Sequence, residues 1–68
     1  MTEVIFLVEE AAEGGYIARA LGVSIVTEAD DMATLQEQVR DAVRCHFEND
    51  EAPKVIRLHF VREEVIPV

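Results

Sequence analysis

Sixty-eight residues make one domain, residues 1–68, too small for a bilobal enzyme with a deep cleft, because a chain of this length buries only about 60% of the surface it exposes when unfolded. Half of the residues are hydrophobic, more than so small a core absorbs, so some apolar side chains are expected to finish against another subunit or a partner. Fourteen acidic against six basic residues leave a formal net charge of -8, which repels nucleic-acid phosphates and anionic membranes and favours basic partners. The longest apolar run, Val4 to Val8, is far short of the roughly 20 residues that span a bilayer. A single cysteine, Cys45, forms no internal disulfide and no charged-then-apolar leader opens the chain, so a cytoplasmic protein is expected.

Val4–Val8 ("VIFLV") is β-branched and aromatic, too short for a helix, and apolar on both faces, as in a central strand. Gly14-Gly15 follows. A phosphate-binding glycine loop runs from a strand through glycines into a helix, but here a strand follows the glycines, and Glu10 and Glu13 would repel an anion. The pair is therefore read as a hairpin tip needing positive φ. A second strand is expected at Tyr16–Ala20, a break near Gly22, and a third strand at Val23–Thr27. Arg19 shares a face with Ile17 and Leu21, and Ser24 with Val26, which makes one side of this hairpin wetter than the first strand. The period then changes: Met32, Leu35, Val39, Ala42, Val43 and Phe47 recur at steps of three and four, the apolar stripe of a helix with Asp31 as its N-cap. "ENDEAP", residues 48–53, is expected to stop it. "KVIRLHFV", residues 54–61, alternates cleanly, with Ile56, Leu58 and Phe60 on one side and Val55, Arg57, His59 and Val61 on the other. The tail "REEVIPV" reads as a weak strand or an arm, confined to a sheet edge by Pro67.

Short links between the first three strands imply an antiparallel meander. The helix permits a right-handed crossover to a parallel fourth strand beside the first. The expected fold is thus α+β, β-β-β-α-β in two layers: a four-stranded mixed sheet of order 3-2-1-4 with one helix on one face. That leaves the other face to water or a partner.

Candidate chemistry is sparse. Ser24 has no histidine near it in sequence, and Cys45 and His46 are adjacent on a helix, where neighbours point apart. Cys45 is expected to pack as a small hydrophobe at the helix flank. Cys45, His46 and His59 lack metal-ligand spacing. The strand order is also that of the start of a ribonuclease-H-like sheet, whose two-metal chemistry needs carboxylates converging on ions about 3.5–4 Å apart. The first strand is purely apolar and the fourth carries Arg57 and His59 where an acid is wanted. The carboxylates gather instead at element ends, as solubilising loops do. No catalytic, metal or cofactor residue is assigned, and no enzyme is expected.

"EGGYIARAL", followed by "DDMATLQEQVRDAVRCHF", resembles the N-terminal domain of the HicB-type antitoxins and their stand-alone relatives, over Val4 to Val61. That family has a partial ribonuclease H fold, with a glycine-tyrosine strand, a Pro/Gly turn and a capped helix of the type T-L-E-E-A-x-x-x-I-x-E-A. Asp31 takes the cap position of that pattern, Met32 and Val39 its leucine and isoleucine, Leu35 its first alanine, and Asp41-Ala42 its Glu-Ala pair. The family's P-x-L-x-G-C turn is replaced by "ALGVSI", which keeps only Gly22, and its G-D-T by "EADDM". An antitoxin repressor continues into a DNA-binding domain, whereas this sequence stops at Val68, so direct binding of nucleic acid is not expected.

The resemblance implies a non-catalytic module that self-associates as a dimer or tetramer and masks a small basic, RNA-cleaving toxin-like protein. The expected contact surfaces are the open sheet face and the acidic hairpin, with Glu10, Glu13, Tyr16, Arg19, Arg57 and His59 as contact residues, aromatic and arginine side chains being the usual anchors. The alternative is a small-ligand-binding or metabolic accessory domain whose pocket forms between subunits. No cofactor and no membrane partner are expected.

Overall fold

The elements of the computed structural model, which describes residues 2–47 and 51–68, follow the order β1 (Glu3–Glu10), β2 (Tyr16–Ala20), β3 (Val26–Ala29), α1 (Met32–His46) and β4 (Val55–Phe60). The sheet order is β3-β2-β1-β4, antiparallel except for the β1/β4 pair, so the mixed four-stranded arrangement with one helix is the one observed. β1 is interior and longer than its apolar run, because Glu3 pairs with Val55 of β4 and Glu9 and Glu10 pair with Ile17 and Tyr16 of β2.

The alternation of β1 sorts its side chains. Val4, Phe6 and Val8 are buried beneath the helix, and Ile5 and Leu7 lie half-buried on the other face. Ala18 and Ile25 complete the core from the β2–β3 hairpin, and Leu35, Val39 and Val43 from α1. Small side chains opposite Phe6 and Val8, namely Ala20 and Ala18, leave room for the ring. No polar or charged residue is buried among the described residues, so the core needs no internal hydrogen bonds.

Both glycines at the first turn have positive φ, +99° at Gly14 and +82° at Gly15. The turn closes with the Ala11 N–H donating to the Gly15 carbonyl and the Gly14 N–H to that of Ala11, each at 3.0 Å. The third strand differs from the expected Val23–Thr27. At Gly22 the chain bends with φ +89°, and the Ala20 N–H reaches over to the Ile25 carbonyl at 2.9 Å. Residues 21–25 thus form a loop that drops Ile25 into the core, and regular pairing starts only at Val26 opposite Arg19. Alternating apolar residues around that bend imitate a strand without forming one.

Asp31 caps α1: its Oδ1 accepts from the Thr34 N–H at 2.7 Å. That bond, helped by the Thr34 hydroxyl and the Ala33 N–H, holds the Asp31 carboxyl below its ordinary value of 3.8. With no acid in the first turn of α1, Asp31 is the group that meets the positive end of the helix dipole. A depressed carboxyl pKa stabilises the fold above the unfolded value and loses that contribution as pH falls through the folded one. Asp31→Ala is therefore expected to melt below the wild type at neutral pH, with the gap closing as pH drops from 3.8 downward. A gap that persists at about pH 2 would show that the ionised carboxylate is not what caps the helix.

The helix ends at His46, where the Phe47 N–H donates to the Val43 carbonyl at 3.1 Å, and Arg44 and His46 suit the negative end of the dipole. The expected stop at 48–53 lies partly outside the described residues. Cys45 is exposed rather than packed. It stands two residues from Val43, about 200° around the helix, and so faces away from the sheet.

Candidate protein-interaction site

Three surfaces result from laying one helix across this sheet. The first is the helix-free face, whose composition follows from the pairing register. Leu7 of β1 lies between Arg19 of β2 and His59 of β4, and Arg19 in turn faces Val26 of β3. One step along, Ile5 lies beside Arg57, and the Leu21 N–H donates to the Ile5 carbonyl at 2.8 Å. Ile5, Leu7 and Ile17 thus form an apolar centre. Val26 at 67% and Leu21 at 50% exposure extend it toward the β3 edge.

Charged side chains frame that centre. Arg57 donates from Nε and Nη2 to the same Glu3 oxygen, Oε2, at 3.3 and 3.0 Å. Both partners are substantially exposed, so the pair orients Arg57 more than it stabilises the fold. An apolar centre with an arginine- and histidine-bearing rim is the anatomy of a recognition patch.

The second surface is an open notch of about 660 Å³ where the β1–β2 turn meets the start of α1. Glu13, Glu28, Asp30 and Asp31 stand around it, Tyr16 and Thr34 line it, and no basic residue does. Gly15 explains why the walls approach so closely: its position beside the Ala29 carbonyl leaves no space for a Cβ.

The six expected contact residues therefore divide. Arg19, Arg57 and His59 share the helix-free face. Tyr16, three residues before Arg19, pairs with Glu10 and Ala29 on the opposite face, where it packs against the core and lines the notch with Glu13. Glu10 ends β1 beside Ala11 and the start of the C-terminal tail. Strand alternation carries this separation, since residues an odd number apart point to opposite sides.

The third surface was not anticipated from the residues. α1 packs over β3 and β2 and leaves β4 at the margin of its cover, so a groove of about 370 Å³ opens between Gln36, Val39 and Arg40 of α1 and Ile56, Leu58 and Phe60 of β4. Phe60 is 55% exposed in consequence. Widths alone foretell it: four strands about 4.8 Å apart are broader than one helix of about 10 Å.

Among the described residues no cluster of three or more histidine, cysteine or acidic side chains is placed to hold a metal, and no helix is long and apolar enough to cross a membrane. No family model matches the sequence, and no solved structure matches it significantly. Two relatives do. A UPF0150 protein of Archaeoglobus fulgidus is 60% identical over 52 residues, covering 76% of this chain and 77% of the relative. A UPF0150 protein of Thermotoga maritima is 39% identical over 66 residues, covering 97% of this chain and 93% of the relative.

Proposed function

The chain belongs to the UPF0150 family, and from that premise we propose that it is a non-catalytic, cytoplasmic protein-binding module of the HicB antitoxin type. It self-associates through the helix-free sheet face and offers its acidic notch to a small basic, RNA-cleaving toxin-like protein. The observation that carries this reading is the separation of the two surfaces. The sheet face is apolar at its centre and carries both signs around it, Arg19, Arg57 and His59 with Glu3, Glu9 and Glu28, so two copies can meet on it with opposite charges opposed. The notch is lined by carboxylates around a tyrosine with no cation among them, which suits a basic partner. A net charge of -8 adds long-range attraction for such a partner.

Glu13→Lys with Asp30→Lys is expected to weaken capture of a basic toxin-like chain about tenfold or more, chiefly through a slower on-rate, because both positions are exposed rim charges. Leu21→Glu with Val26→Glu is expected to lower the mass in light scattering while leaving toxin capture intact. If charge reversal in the notch leaves binding unchanged and salt-independent, the notch is not the docking surface. The second reading, a small-ligand site, is favoured by the concavity of the same notch. A thermal-shift screen separates the two, because a tight ligand raises the melting point and a protein-binding surface ignores small molecules.

A further inference from the structure

The C-terminal tail and the β4 groove fit each other, but not within one molecule. All of residues 61–68 are exposed, with Val65 at 86% and Ile66 at 78%. Arg62 Nη2 pairs with Glu64 Oε1 at 3.1 Å, which sets residues i and i+2 on one side, as in an extended chain. The molecule measures 51 × 21 × 17 Å. Eight extended residues account for about 26 Å of that long axis.

The free edge of β4 has a definite polarity. Val55 and Val61 donate their N–H groups to the carbonyls of Thr2 and Val8, at 3.2 and 2.9 Å. Alternation along a strand then turns the N–H and C=O of Ile56, Leu58 and Phe60 outward, on an edge where β4 has no neighbour among the described residues. The side chains of those same three residues line the groove. An added strand therefore bonds to these residues and lays side chains of matching parity over the groove.

We propose that residues 62–68 of one molecule add as an antiparallel strand to the β4 edge of a second copy, which returns its own arm, giving a two-fold dimer. In this arrangement Glu64, Ile66 and Val68 make the backbone bonds, and Ile66 and Val68 cover Ile56, Leu58 and Phe60 of the other copy. Pro67 falls on the alternate parity, where its missing N–H faces outward and costs no ladder bond. Glu64 comes over a groove lined by Arg40, which has no ion pair among the described residues. The arm does not close on its own β4. A three-residue reversal at 61–63 calls for a left-handed residue, usually glycine, and the arm contains none; no residue other than glycine has positive φ among the described residues. Exchange with a second copy is the unstrained alternative, and reciprocity closes the assembly.

The groove and the helix-free face lie on opposite sides of the sheet, so this inference does not depend on the proposed function. The full chain is examined by light scattering and by amide hydrogen exchange. Ile66→Asp with Val68→Asp alters side chains outside the core and is expected to halve the mass while leaving far-UV circular dichroism unchanged. The outward amides of Leu58 and Phe60 are expected to be protected in the wild type and to exchange fast in this variant. In Leu21→Glu with Val26→Glu they stay protected, even if the mass falls. A wild type with fast exchange at Leu58 and Phe60, or an arm variant whose mass does not change, overturns the exchange of arms and leaves the helix-free face untouched.

Discussion

Phe6→Ala is expected to leave the chain without a cooperative unfolding transition. Phe6 is fully buried at the centre of β1, between Ala20 on β2 and Leu58 on β4, beneath the helix. Removing a buried ring costs about 3–5 kcal/mol through lost transfer energy and the cavity left behind. A domain of 68 residues has only about 3–10 kcal/mol to lose. The neighbouring alanines cannot swing in to fill the space, which places this site at the costly end of the range. Phe6→Leu keeps most of the volume and is expected to retain a sharp melt at lower temperature, with a cost of about 1.5 kcal/mol or less. Thermal denaturation followed by circular dichroism separates the two. A Phe6→Ala protein that melts within a few degrees of the wild type would mean that the core is not centred on β1.

Gly15→Ala is expected to be far worse than Gly14→Ala, although the two glycines are adjacent and both have positive φ. At Gly14 an added Cβ meets nothing within 4 Å, so the cost is that of the left-handed backbone alone, about 1–2 kcal/mol. At Gly15 it would sit 2.7 Å from the Ala29 carbonyl oxygen and 3.2 Å from the Asp30 Cα. Both obstacles are backbone, and Ala29 is held opposite Tyr16 in the β2/β3 ladder, so relief requires opening that end of the hairpin. Overpacking of this kind adds about 1–3 kcal/mol. Urea denaturation of the two variants gives the comparison, and equal midpoints would show that the turn and β3 are not in contact. Loss at Gly15 also reshapes the acidic notch, whose walls are this turn and the start of α1.

The helix was legible because its signals are local. Asp31 supplies a cap within one turn, and the spacing of Leu35, Val39 and Val43 specifies the buried stripe whatever that stripe meets. The sheet order was legible for a different reason: a strand apolar on both faces has to be interior, and only the crossover through α1 places a neighbour on its second side. β3 misled because Val23 and Ile25 alternate like strand residues; the break at Gly22 was legible, but alternation does not say that the chain curls back beyond it, with the Ala20 N–H on the Ile25 carbonyl, and pairs only from Val26. Cys45 misled because a free cysteine is usually buried, and here the apolar stripe is too narrow to reach it.

For the candidate site, alternation alone put Ile17, Arg19 and Leu21 on one face and Arg57 with His59 on another strand's matching face. Their assembly around Leu7 needed the register of both β1 pairings, which no single strand encodes. Tyr16 parted from Arg19 by the same parity, and joined Glu13 only because Gly15 lets the turn close onto Ala29. The sequence determined the type and chain order of the elements and which side of β1, α1 and β4 is apolar, because period and capping act over a few residues, but not where β3 begins. The tertiary structure decided where one helix about 10 Å wide comes to rest on a broader sheet. That placement left the β4 groove open, because the helix covers β3, β2 and the buried side of β1 and stops short of the last strand, while the other face stays open because one helix covers one side.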